Sequence, residues 1–307
     1  MKIASIDIGT NAIKSKIFKT TPTSIEFLEG IRSPIRLGDE VFRDGKLSNE
    51  KLDLVIQTIK EYEEIFKRNK IERYEIVATS AFRDTANSED ARRYLETAIH
   101  HPLRIISGLE EAKLIRFHPK SNTGNKKIFV DLGGGSTEFF IRTDHEIEIR
   151  SFQLGAVRNM LQKDQQSEWK RMEEWLQSVK PKKKLIGIGG NIKSFLQASK
   201  KKEMTIKEFN KKVHEISLLS TSEKIKKYSF SPDRADVIDC ALEIFQVITA
   251  NLQIESITSS KWGVSDSMAV KLFHEIYSIR EFVRICIFLC LHYGPYPLAN
   301  FPLKEPC

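Results

Sequence analysis

The sequence predicts an α/β protein built from two copies of one fold that face each other across a cleft. Three observations carry this. Strands and helices alternate along the chain; a strand–Asp–Gly–turn–strand unit occurs twice; and the two units begin 124 residues apart, at Asp7 and Asp131. Alternation of this kind marks α/β architecture, and self-similarity at the length of a domain indicates a duplicated fold.

In chain order, Lys2–Ile8 is apolar and β-branched, a strand ended by Gly9-Thr10-Asn11. Residues 13–18 alternate with Lys14 and Lys16, a strand with one wet face, and residues 25–31 read as a third strand. Leu52, Val55, Ile56, Ile59, Tyr62 and Phe66 fall three and four apart, which predicts a helix over Asn49–Asn69 with Ser48 as N-cap. A strand over 74–79, a helix over 88–100, a strand over 103–107 and a helix over 109–118 complete the first copy. The polar breaker Pro119-Lys120-Ser121-Asn122-Thr123-Gly124-Asn125 divides the chain. The expected units are 1–122 and 123–280, with a C-terminal tail over 281–307. After the breaker the pattern restarts with strands over Lys127–Leu132 and 137–142. A strand over 185–188 follows, then the loop Gly189-Gly190-Asn191, and a long helix over about 235–252 with Val237, Ile238, Ala241, Leu242, Phe245 and Ile248 on one face.

Composition bounds the function classes. With 40% apolar and 29% charged residues, the 307-residue chain reads as a soluble globular protein with two cores. Asp7 interrupts the N-terminal apolar stretch, so a signal peptide is not expected. No run of 18 apolar residues predicts a membrane span; the longest stretch, 282–291, is broken by Arg284. Cys240, Cys286, Cys290 and Cys307 lack the spacing of a disulfide framework or a zinc site, and a cytoplasmic location follows as the expectation. The net charge of +8 is uneven: residues 126–307 hold 28 Lys and Arg against 22 Asp and Glu. That field suits a polyanion, but the basic runs carry no interleaved aromatics, so nucleic acid is not expected as a partner.

The two turns are what a phosphate-gripping cleft needs. Glycine lets backbone N–H groups approach an oxyanion closely, and an aspartate at a strand end holds a cation that bridges to phosphate. Asp131-Leu132-Gly133-Gly134-Gly135-Ser136-Thr137-Glu138 is the richer loop, with carboxylates at both ends. It is neither a Walker A loop nor a dinucleotide fingerprint. Arg83, expected at a strand terminus, points toward bound phosphate. Glu110 and Glu111 open a helix, where only one of two successive residues faces a given cleft.

Asp7-Ile8-Gly9-Thr10-Asn11, Ala78-Thr79-Ser80-Ala81-Phe82-Arg83-Asp84, Ile106-Ser107-Gly108-Leu109-Glu110-Glu111-Ala112, the 131–138 loop, Leu154-Gly155-Ala156-Val157-Arg158 and Gly187-Ile188-Gly189-Gly190 occur in this order. Together they resemble the exopolyphosphatase / guanosine pentaphosphate phosphatase (Ppx/GppA) family, in a short two-domain form, over about residues 2–275. The resemblance implies two actin-like (ribonuclease H-like) ATPase domains and Mg2+-dependent hydrolysis of phosphoanhydrides. The implied substrate is inorganic polyphosphate, or pppGpp converted to ppGpp in the stringent response. By the same resemblance Glu111 is the catalytic glutamate that activates water, and Asp131 and Glu138 organise magnesium. The implied phosphate-contacting positions are Asp7, Thr10, Asn11, Arg83, Gly133, Gly134, Gly135, Ser136, Gly189 and Gly190. The chain departs from the family pattern at Thr10, at Asn191 and over residues 259–266. A homodimer is an expectation of the resemblance alone. Two alternatives stand beside the hydrolase: a non-catalytic polyphosphate or nucleotide sensor, and a small-molecule kinase on the same fold.

Overall fold

The computed structural model describes residues 1–124, 126–143 and 146–277. The tail expected over 281–307, with Cys286, Cys290 and Cys307, lies outside the described residues. The first half runs β1 (Lys2–Ile8), β2 (Ile13–Thr21), β3 (Ser24–Ser33), α1 (Leu37–Asp44), α2 (Asn49–Asn69), β4 (Arg73–Ala78), α3 (Ser80–Asp84), α4 (Ser88–Ile99), β5 (Leu103–Ile105) and α5 (Gly108–Leu114). The second half runs β6 (Lys127–Leu132), β7 (Thr137–Arg142), β8 (Ile147–Phe152), α6 (Ala156–Met160), α7 (Gln166–Ser178), β9 (Lys184–Ile188) and α8 (Gly190–Ala198). It continues through β10 (Glu203–Thr205), α9 (Ile206–Ser217), α10 (Thr221–Tyr228), α11 (Pro232–Ala235), α12 (Ile238–Asn251), β11 (Ser256–Ser259) and α13 (Val264–Tyr277).

Two sheets repeat one order. The first is β3-β2-β1-β4-β5 and the second is β8-β7-β6-β9-β11, with β10 added at the far edge. In each, the first three strands pair antiparallel and the next two join in parallel. This is the duplicated α/β fold that the repeated turns foretold, in the actin-like form that the resemblance implies. The correspondence reaches single residues: Asp7 pairs with Lys14 across β1–β2, and Asp131 pairs with Glu138 across β6–β7.

Helix α2 has the expected bounds. Ser48 accepts a hydrogen bond from the Lys51 N–H, and the apolar stripe from Leu52 to Phe66 is buried. The helix expected over about 235–252 forms as α12, starting at Ile238, and a separate short helix, α11, ends at Ala235 with Asp236 and Val237 between them. Packing also ties the two halves together. Helix α5, which closes the first half, lies against β7 and β8 of the second sheet. Helix α13 returns to the first sheet, where Val270, Leu272 and Phe273 pack with Ile3, Phe18 and Ile25. Each half thus lends a helix to the other. No helix among the described residues is long and apolar enough to cross a membrane.

Candidate active site

The two turns meet face to face. A Cβ on Gly134 would stand 2.8 Å from the Thr10 methyl, so the glycine is what allows the loops of the two halves to touch. Arg158 secures the second loop: Nε donates to the Gly135 carbonyl at 2.8 Å, and the guanidinium pairs with Asp84 of α3. A third turn, between β9 and α8, closes the floor. Gly189 has φ +99° and sits where a Cβ would come within 2.9 Å of the Leu132 carbonyl oxygen.

These loops border a cavity of about 450 Å³. Asp7, Thr10, Asn11, Glu111 and Asp131 line it, as do Gly133, Gly134, Gly135, Ser136, Gly189 and Gly190. Two expected site residues are not on its wall. Arg83 sits on α3 rather than at the end of a strand, and it faces sideways: Nη1 donates to Glu111 Oε2 at 2.9 Å and to the Ile106 carbonyl at 2.8 Å. Its Nη2 donates to Ser136 Oγ at 3.1 Å. Its hydrogen bonds therefore hold a glutamate and a loop, where the sequence suggested a phosphate contact. Glu138, the cross-strand partner of Asp131, is buried, with Oε1 accepting from Ser151 Oγ at 2.9 Å. Asn11 lines the cavity, yet its Nδ2 donates to the Asp233 carbonyl and carboxylate at 2.9 and 3.2 Å.

Of the two adjacent glutamates, α5 presents Glu111 to the cleft. Glu110 is exposed and closes a capping box: Oε2 accepts from the Ser107 N–H at 2.7 Å, while Ser107 Oγ accepts from the Glu110 N–H at 3.2 Å. Those bonds lower the Glu110 pKa.

The site is crowded with carboxylates. Burial raises the pKa of Asp7, against the pull of Lys14 at 3.6 Å. Burial raises Glu111 as well, with Arg83 opposing. Burial and the charge of Glu111 push Asp131 up to about 7, and the same two causes hold Glu138 well above the carboxylate range. Lys14 and Arg83 are the cations that answer this cluster. Such a surplus of negative charge fits a site that takes a cation. Among the described residues no three His, Cys, Asp or Glu side chains are placed to enclose an ion. A hard cation bound here would complete its shell with phosphate oxygens and water.

The wall also carries basic side chains: Lys14, Lys16, Arg32, Lys193, Arg234 and Lys261. The sequence reading did not single these out as site residues. Lys14 was findable, because it follows Asp7 by the seven residues that separate Glu138 from Asp131. Nothing local marked Lys193 or Arg234.

A model of the Ppx/GppA phosphatase family matches residues 16–275. A solved exopolyphosphatase from Cytophaga hutchinsonii is similar at 20% identity, over 90% of this chain and 98% of that one, with TM-score 0.77. A Ppx/GppA family member from Aquifex aeolicus is similar at 24% identity, over 92% and 99%, with TM-score 0.71. At these identities the likeness to solved structures is one of fold.

Proposed function

The chain belongs to the Ppx/GppA phosphatase family, and from that premise we propose that it is a phosphoanhydride hydrolase releasing the terminal phosphate of inorganic polyphosphate with the help of Mg2+. The observation that carries the reading is Glu111, on a helix lent by the first half, set beside the Asp131 carboxylate and three glycine turns on one cavity. The Lys16, Lys193 and Lys261 ammonium groups on the same wall suit a chain of phosphates.

Each group has a role in that chemistry. Hydrolysis needs an oriented water, in-line geometry and neutralisation of the equatorial oxygens. Glu111 accepts the proton of the attacking water, and its raised pKa brings it nearer to the working pH of a general base. Arg83 holds that carboxylate in place. The 134–136 turn and Gly189-Gly190 line the cavity, so their N–H groups are the ones available to the charge of the transferred group, while the Gly133 N–H is taken up by the Ser136 carbonyl at 3.0 Å. Asp131 and Glu138 are the residues that would hold magnesium, which when bound neutralises phosphate oxygens.

Incubation with Mg2+ and long-chain polyphosphate, with pppGpp in parallel, tests the reading by phosphate release. Release from polyphosphate is expected. Binding of both compounds without release from either would turn the protein into a sensor and end the hydrolase reading.

A further inference from the structure

Residues 155–158 form the back of the 133–136 loop. The Gly133 carbonyl accepts from the Ala156 N–H at 3.1 Å, and the Gly134 carbonyl accepts from the N–H groups of Val157 and Arg158 at 2.8 and 3.0 Å. The third carbonyl, of Gly135, accepts from Arg158 Nε at 2.8 Å. In a trans peptide the C=O and the following N–H point in opposite directions. Three carbonyls turned to α6 therefore turn the N–H groups of Gly134, Gly135 and Ser136 away from it. Among the described residues none of these three N–H groups donates to a protein acceptor, and all three residues line the cavity. Backbone N–H groups inside a protein are rarely left unpaired, so a row of three points to a ligand that accepts from them.

The ties on Gly133 and Gly134 are made by backbone, and the one on Gly135 by a buried side chain. The Arg158 guanidinium also pairs with Asp84 of α3 and lies over the Phe42 ring of α1, 4.2 Å from its centroid. The residue that holds the loop is thus itself held by the first half. A Cβ on Gly155 would stand 2.5 Å from the Gly135 nitrogen, so glycine lets α6 start this close to the loop. The loop's own glycines restrain its peptide planes weakly, because glycine takes φ of either sign. Turned over, the 135–136 peptide would present its carbonyl oxygen to an anion in place of the Ser136 N–H. A charged donor fixed on that carbonyl opposes the turn.

We propose that Arg158 is a positioning residue of the active site. By holding the Gly135 carbonyl through Nε, it keeps the Ser136 N–H aimed into the cavity and completes a row of three donors for an oxyanion. The role belongs to the Nε donor rather than to the charge, which Asp84 answers. That the oxyanion is a phosphoryl group in transfer rests on the hydrolase reading; the orientation of the peptide does not.

Two substitutions separate donor from charge. Arg158→Gln places an amide nitrogen where Nε stands and removes the charge. Arg158→Lys keeps the charge for Asp84 and puts a methylene where Nε stands. Binding of orthovanadate with Mg2+ is read by calorimetry, kcat and KM by phosphate release from polyphosphate, and stability by urea unfolding. Arg158→Lys is expected to weaken orthovanadate binding about tenfold and to lower kcat about 10–10²-fold, toward the loss of one oxyanion-hole donor, while KM changes less than about threefold. Arg158→Gln is expected to exceed Arg158→Lys about tenfold in kcat and to bind orthovanadate more tightly, although it unfolds at lower urea. A lysine variant that matches or surpasses the glutamine variant, or a wild type that does not bind orthovanadate, would overturn the inference. If circular dichroism shows either variant unfolded, Arg158→Gln and Arg158→Met in an Asp84→Asn background are compared instead, since they differ in the donor and not in charge. Orthovanadate affinity that follows the donor, without phosphate release by the wild type, leaves this inference standing and removes the hydrolase reading.

Discussion

Arg83 joins Glu111, Ser136 and the Ile106 carbonyl, so one guanidinium ties the proposed base to the glycine loop that faces it. Two predictions belong at this scale. Glu111→Gln removes the proton acceptor and keeps the shape; phosphate release is expected to fall about 10²–10⁴-fold, with polyphosphate binding close to wild type in a filter or calorimetric assay. The second concerns pH. Glu111 works only when ionised, and burial raises its pKa above the ordinary 4.5 while Arg83 opposes the rise. The rate is therefore lost as pH falls through a value above 4.5, and Arg83→Gln, by removing the opposing cation, is expected to move that acid limb to higher pH. A pH–rate profile with its limb at or below 4.5, or one that Arg83→Gln moves downward, would contradict the assignment.

At the scale of the element, α5 decides where Glu111 points. The capping box turns Glu110 outward, and Gly108 lets the helix start press on β8, since a Cβ there would overlap the Ser151 hydroxyl. Gly108→Ala is expected to destabilise the protein by about 1–3 kcal/mol in urea unfolding, as overpacking does. Because the displaced helix carries the base, kcat is expected to fall more than KM rises. Ser107→Ala removes a cap worth about 1 kcal/mol, read in the same assay. Elements with strong local periodicity were legible in advance. The stripe of α2 and its Ser48 cap lie within one stretch of chain, and the helix forms where the spacing put it. The break between α11 and α12 was not legible, because residues far away in sequence contribute to it. Asp233 is drawn to Arg32 and Asn11, and Asp236 to Arg36 at 2.6 Å, all from the first half.

On the scale of the molecule, the exchange of α5 and α13 makes the halves interdependent. Without α13, the first sheet would expose Ile3, Phe18 and Ile25, which that helix covers. A fragment of residues 1–122 is therefore expected to bind a hydrophobic dye and to unfold without a cooperative transition, whereas the whole chain unfolds cooperatively. A fragment that unfolds as sharply as the whole chain would refute this dependence. The cleft is also bridged by ion pairs: Lys16 with Asp266, Arg32 with Asp233, Arg36 with Asp236 and Arg158 with Asp84. These pairs bring opposite walls together around the site.

The sequence by itself determined the duplication, the two Asp–Gly turns and the correspondence of Asp7 with Asp131, because each is written in a few adjacent residues and repeated at a fixed distance. It also held the equivalence of Lys14 and Glu138, visible once the two copies are laid over each other. Only the tertiary structure decided that Arg83 and Glu138 stand off the cavity wall, that Glu110 turns into a capping box, and that Arg234 reaches the space left by Gly190. Those outcomes depend on how two sheets dock and which helices they trade. Docking is set by contacts between residues more than a hundred positions apart, such as Asn11 with Asp233, and no local periodicity encodes them.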